Sequence, residues 1–211
     1  MNPRILLLAF LVCGSILASA QRQNGQVEWF YYGGDPAGSK YSPVDDITLQ
    51  NVQGLSIAWQ WQHGEKAIEQ YGTVPFRFEN QPLMVDGVLY VTTPYNNAAA
   101  LDAETGKELW RFDSGAVKLG GIPGTGFKHR APALWRDSRD GNKLRVLLNT
   151  RNQLFSLDAQ TGKPVESFGT GGVVSLTDGY PRPISVIRHV NHGASPPVVY
   201  RDIVVVGSSV P

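Results

Sequence analysis

Leu101-Asp102-Ala103-Glu104-Thr105-Gly106-Lys107 returns 56 residues later as Leu157-Asp158-Ala159-Gln160-Thr161-Gly162-Lys163. Each copy follows a strand-forming run, Val88-Leu89-Tyr90-Val91-Thr92-Thr93 before the first and Leu144-Arg145-Val146-Leu147-Leu148-Asn149 before the second. An Asp ahead of Thr-Gly hydrogen-bonds the backbone of its own turn, and the glycine takes the positive φ that closes it. Because the element recurs, Asp102 and Asp158 are assigned to building the fold, whereas a catalytic group usually occurs once. A third unit begins at Pro197-Val198-Val199-Tyr200-Arg201-Asp202-Ile203-Val204-Val205-Val206, which aligns with Pro82-Leu83-Met84-Val85-Asp86-Gly87-Val88-Leu89-Tyr90-Val91.

A repeat of about 50 residues holding four short strands is the size of a propeller blade. Each unit is expected to contain a hairpin turning at Asp86-Gly87 or Arg201-Asp202, a third strand, the Asp-x-x-Thr-Gly-Lys turn and an outer strand. The fold class is therefore all-β, a β-propeller of which the chain holds the first two to three blades, and a ring that cannot close on so few is read as part of a longer protein. Leu55-Ser56-Ile57-Ala58-Trp59-Gln60-Trp61 alternates with period two and predicts a strand. Helix is expected only as one turn over residues 45–52, with Asp46 as its cap. Glycine (23) and proline (14) are frequent, as many tight turns require.

The first twenty residues read as an export signal: Arg4 supplies a positive start, residues 5–17 are apolar but too short to span a bilayer, and Ala18-Ser19-Ala20 is a small-x-small cleavage site. The mature chain is expected to run over residues 21–211 and to lack thiols, since the single cysteine, Cys13, lies in the leader. Stability must then come from core and strand pairing instead of disulfides. With 18% charged residues and a net charge of +1, no basic patch recommends nucleic acid. No second apolar segment recommends a membrane span, and the sequence leaves membrane association open.

The two turn segments, the first completed by Glu108-Leu109-Trp110, resemble the tryptophan docking motif of the pyrroloquinoline-quinone (PQQ) dehydrogenases of the bacterial periplasm. Other pieces occur in that family's order. Tyr41-Ser42-Pro43 with Asn51-Val52, Leu55 and Ala58-Trp59 is similar to its first strand, and Glu79-Asn80-Gln81-Pro82-Leu83 to its Glu-x-x-Pro-Leu. Phe168-Gly169-x-Gly171-Gly172-Val173-Val174 resembles the stretch after its second turn, and Ser195-Pro196-Pro197-Val198 with Val206-Gly207-Ser208-Ser209 its third blade. The resemblance spans residues 29–211 and implies an eight-bladed propeller when intact. The second turn lacks the docking tryptophan, with Glu166 at its position and Phe168 nearby, so one docking contact is expected to be altered.

The resemblance also implies a cofactor site in the central mouth. PQQ is a planar ortho-quinone with three carboxylates. Arg130 resembles a family arginine able to pair with one of them, Glu79 matches a glutamate beside the cofactor, and Ser208 and Ser209 would donate hydroxyl hydrogen bonds. Two positions depart: Ala131 stands where the family has glycine, and Ala194 where many members have threonine, so Ser195 is expected to take over that hydroxyl. A carboxylate beside an anionic cofactor needs Arg130 or a proton to offset repulsion, which makes Glu79 and Arg130 a pair.

The function implied by this resemblance is oxidation of an alcohol or an aldose, with Ca²⁺ polarising the quinone, a carboxylate base, and cytochrome c or a quinone as downstream electron acceptor. The resemblance places the calcium ligands and the base past Pro211, so the fragment alone is expected to be inactive. Two alternatives stay open: a non-enzymatic propeller serving as scaffold in outer-membrane protein assembly, and a sugar- or alcohol-binding propeller without catalysis. The histidines His63, His129, His189 and His192 form no metal-ligand pattern, although His189 or His192 could face the mouth. Residues 120–126 are glycine-rich but lack the context of a phosphate loop.

Overall fold

The computed structural model describes residues 22–23, 26–124, 126–181 and 191–208. The export-signal reading of residues 1–20 and the readings of Cys13, His189 and Ser209 lie outside the described residues. A short hairpin, β1 (Arg22–Gln23) and β2 (Gln26–Val27), precedes the repeats.

The first repeat folds as an antiparallel sheet of β3 (Leu83–Val85), β4 (Val88–Thr92), β5 (Ala98–Asp102) and β6 (Glu108–Phe112), adjacent in chain order. The second contains β7 (Ala133–Asp137), β8 (Lys143–Asn149), β9 (Gln153–Asp158) and β10 (Val173–Ser175) in the same order. The third begins as the hairpin β11 (Val198–Tyr200) and β12 (Ile203–Val205). Asp86 and Gly87 both have positive φ, 52° and 74°, the two-residue turn whose twist matches its strands.

Alternation within the strands explains the stacking. In β5, Ala98 and Ala100 face the second sheet and meet Leu134, Val146, Leu148, Phe155 and Leu157, while Ala99 and Leu101 face the opposite side and meet Trp59 and Trp61. In β8, Val146 and Leu148 turn toward the first sheet, and Leu147 joins Trp135, Leu154 and Phe168 against Val199, Val204 and Val206 of the third unit. The two four-stranded sheets are covered on both faces because each lies between neighbours, the arrangement of consecutive propeller blades, while the third unit's hairpin buries only its Val199 and Val204 side.

The repeated turns behave as the sequence predicts. Asp102 Oδ1 accepts from Thr105 N at 2.7 Å and Oγ1 at 2.6 Å, which holds its carboxyl below the usual range, and Asp158 Oδ1 accepts from Thr161 N at 3.0 Å and Oγ1 at 2.9 Å. Trp110, on the outer strand β6, reaches the next unit, where its Nε1 donates to Ala159 O at 2.9 Å and its indole covers Gly162. Trp59 repeats this on the first turn, with Nε1 to Ala103 O at 3.2 Å and the indole over Gly106. Trp59→Phe keeps the ring but removes the donor, so it lowers unfolding free energy by about 1 kcal/mol in denaturant titrations, whereas Trp59→Ala uncovers the turn and costs more.

Three details differ from expectation. The segment 55–61 forms no ladder with any described residue; Trp59 and Trp61 bury one side of it against the first sheet and the remaining residues are exposed. The period-two pattern holds for Trp59 and Trp61, whereas Leu55 and Ile57 on the same face are exposed, and a ladder needs a partner strand. The turn over 45–52 is not helical: a 3-10 turn spans Val52–Gly54, and Asn51, not Asp46, organises the approach by accepting from Thr48 N and donating to Asp46 O, both at 2.7 Å. In the second repeat Pro164 stands where Glu108 opens β6. Lacking an amide hydrogen, it makes one bridge to Leu157, and the chain loops away before returning as β10. Glu166 is exposed there, and Phe168 takes over packing toward the third unit.

Candidate cofactor site

One end of the stacked sheets gathers residues 79–81, 92–97, 128–131, 149–152 and 191–195. The extended segment before β3 is tied to the segment before β7 by Gln81 N donating to Arg130 O at 2.6 Å. Asn80 reinforces the tie by donating to Thr92 Oγ1 at 2.7 Å and to Arg130 O at 3.4 Å. These backbone ties bring Glu79 and Arg130 together although 51 positions separate them.

Arg130 Nη2 lies 3.5 Å from Glu79 Oε2, and its Nη1 donates to Ser195 Oγ at 3.2 Å and to Ala194 O at 3.4 Å. One guanidinium therefore joins residues from all three units. Ser195 presents its hydroxyl oxygen to the guanidinium, and Ala131 is fully buried. Ser208 is exposed past β12 and is not linked to this group by a hydrogen bond. His192 is buried, with Nδ1 2.9 Å from Arg151 O, so it braces the loop instead of facing outward. Among the described residues no cluster of three or more His, Cys, Asp or Glu could hold a metal ion.

Sequence reasoning missed Arg77, whose Nη1 lies 3.5 Å from Glu79 Oε1. Its signal was available, since in extended chain Arg77 and Glu79 share a side. Two guanidiniums flank one carboxylate, leaving a net charge of +1 on a group whose Arg130 and Glu79 side chains are 35% and 26% exposed. A net cationic fork with a neighbouring hydroxyl suits a ligand carrying several carboxylates, so the donor set fits PQQ.

Behind Arg130, His129 is 1% exposed. Its Nε2 donates to Asn149 O at 2.9 Å and Oδ1 at 3.1 Å, Nδ1 has no partner, and burial pushes its pKa down to about 4 from 6.5. The neutral ring is built into the fold. Between these two values the unfolded chain holds more protons than the folded one, so this stability is complete above pH 6.5 and lost as pH falls toward 4. His129→Gln, which cannot titrate, flattens the decline in melting temperature between pH 7 and 4; parallel curves for variant and wild type would contradict the assignment.

Stacked four-stranded antiparallel sheets with a cationic, hydroxyl-bearing group at one end define part of a β-propeller. The family model "Glucose/ethanol/alcohol dehydrogenase, beta-propeller domain", a PQQ domain, matches residues 29–211, and the chain belongs to this family. The dehydrogenase subunit of the quinone-dependent alcohol dehydrogenase of Gluconobacter oxydans is 32% identical over 161 residues, covering 74% of this chain and 19% of that protein. The glycerol dehydrogenase large subunit of the same organism is 32% identical over 183 residues, covering 84% of this chain and 24% of that one. The quinohemoprotein alcohol dehydrogenase of Comamonas testosteroni superposes with a TM-score of 0.62 at 25% identity, covering 86% of this chain and 23% of that structure. A europium-containing methanol dehydrogenase shares the fold, with a TM-score of 0.61 at 22% identity over 87% of this chain and 27% of that one. The chain thus spans 19% to 24% of the length of these curated relatives.

Proposed function

We propose that this chain is the N-terminal part of a periplasmic, PQQ-dependent oxidoreductase that oxidises an alcohol or an aldose. The observation carrying the reading is the single guanidinium of Arg130, held between Glu79 of the first unit and Ser195 of the third. Arg130 and Ser195 would hold a cofactor carboxylate, with Ser208 and Ser209 as further donors. Glu79 would orient Arg130, and Arg77 would offset the charge of Glu79. When bound, PQQ supplies an ortho-quinone that accepts two electrons. The chain's own task is to bind and orient this anion at a partly desolvated rim, where charge-assisted hydrogen bonds are stronger than in water.

Calcium as the metal, an export signal cleaved before Gln21, and cytochrome c or a quinone as acceptor belong to the same proposal. Relatives named as alcohol, glycerol and quinate/shikimate dehydrogenases, and as a 1-butanol dehydrogenase (cytochrome c), support its alcohol-oxidising and electron-acceptor parts. Given the share of those relatives that the chain spans, turnover is assigned to the longer protein and not to these residues alone.

The test is to strip the full-length protein of cofactor, add back PQQ and Ca²⁺, and follow dye reduction by a panel of alcohols and aldoses. PQQ-dependent reduction with one of these substrate classes is expected. If neither PQQ binding nor PQQ-dependent reduction is detected, the reading is wrong.

A further inference from the structure

Two buried asparagines brace the segments that present Arg130 and Ser195. Asn149, fully buried at the end of β8, donates through Nδ2 to Ser195 O at 2.7 Å and to His192 O, while its own carbonyl and Oδ1 accept from the ring of His129. Asn96, 2% exposed, donates through Nδ2 to Gly193 O at 2.9 Å and to Lys128 O at 3.2 Å. Gly193 is pressed on Asn96 so closely that an added Cβ would fall 2.8 Å from its Oδ1. The residues on either side of the clamp, 128–130 and 191–195, are thus fastened to the same two inner turns.

The repeat shows that the amide of Asn149 is not required to build a blade. Its counterpart in the first unit by ladder register is Thr92, which pairs with Ala98 as Asn149 pairs with Leu154, and the turn there is closed by the next residue, Thr93, whose N donates to Asn97 O at 2.9 Å. The second unit closes its own turn separately, with Thr150 N donating to Gln153 O at 2.7 Å. Both Nδ2 hydrogens of Asn149 are directed at the carbonyls of the 191–195 loop, which belongs to the next unit.

We infer that Asn149, aided by Asn96, is a positioning residue for cofactor binding: it holds Ser195 within reach of the Arg130 guanidinium, so the two present one preformed anion-binding fork. The inference rests on the PQQ reading. An anion that must first draw a loose loop into place gives up affinity to ordering, and a braced loop avoids that cost. Asn149 itself touches neither Arg130 nor the ligand and acts only through the backbone of the loop.

The experiment titrates PQQ into the full-length apoprotein, followed by intrinsic fluorescence, for wild type, Asn149→Thr, Arg130→Lys, Arg130→Ala and the Asn149→Thr/Arg130→Lys double variant, with melting temperatures measured in parallel. Asn149→Thr copies the residue the first unit already uses, so a folded protein is expected. It weakens PQQ binding about tenfold, and the loss largely vanishes in the Arg130→Lys background, where the two-point fork is already broken. Any change in melting temperature is the same in both backgrounds. Wild-type affinity in Asn149→Thr, or an undiminished loss in the double variant, overturns the inference while leaving the cofactor reading intact. Unchanged affinity in Arg130→Lys and in Arg130→Ala overturns both. Should Asn149→Thr not fold, Gly193→Ala, which pushes the loop off Asn96, is read by the same cycle with the same expected loss.

Discussion

Gly162→Val lowers the unfolding free energy of the full-length protein by about 3–5 kcal/mol, the sum of backbone strain and an overfilled contact. Gly162 has φ of 69°, where a β-branched residue is strained, and it lies directly beneath the indole of Trp110. A Cβ built there falls 2.5 Å from that ring, so the side chain cannot be accepted unless Trp110 leaves the turn and gives up its hydrogen bond to Ala159 O. Gly87→Ala separates the two causes. Gly87 also has positive φ, 74°, but an added Cβ there meets nothing within 4 Å, so this variant loses only the strain, about 1 kcal/mol. Equal losses for the two variants in urea unfolding would mean that tryptophan docking contributes nothing to blade stacking.

Arg130→Ala weakens PQQ binding about 100-fold, as expected when a charge-assisted, two-point contact is removed and the neighbouring carboxylate is left facing an anion. Glu79 is what makes this prediction specific. With Arg130 present, Glu79 orients the guanidinium at 3.5 Å, but without Arg130 its charge repels the ligand. Arg130→Ala combined with Glu79→Gln therefore binds PQQ more tightly than Arg130→Ala alone, by several-fold at low salt, and the gain shrinks as salt is raised. Fluorescence titration at two ionic strengths checks both the sign and the screening. Arg77, 64% exposed, contributes less, because solvent screens its share of the field.

The blade turns were legible because each is built from neighbours in the chain: Asp102 and Asp158 bond to the Thr three positions on, and no distant residue is needed to close the turn. The hairpin at Asp86-Gly87 was legible for the same reason. The outer strand of the second unit was less so, since Pro164 breaks the repeat at a place where only the return of the chain as Val173–Ser175 restores a fourth strand. Glu79, Arg130 and Ser195 were found by resemblance, and the structure gathers them; Ser208 makes no hydrogen bond to them, and Arg77 enters the group without having been singled out.

The order of short strands and tight turns was determined by the sequence itself, because periodic burial and local hydrogen bonds leave a mark every few residues. Which tryptophan covers which glycine, and which charges from separate units share one guanidinium, was decided only when the sheets stacked. Those contacts join residues about 50 positions apart, where neither period nor composition constrains one partner from the identity of the other.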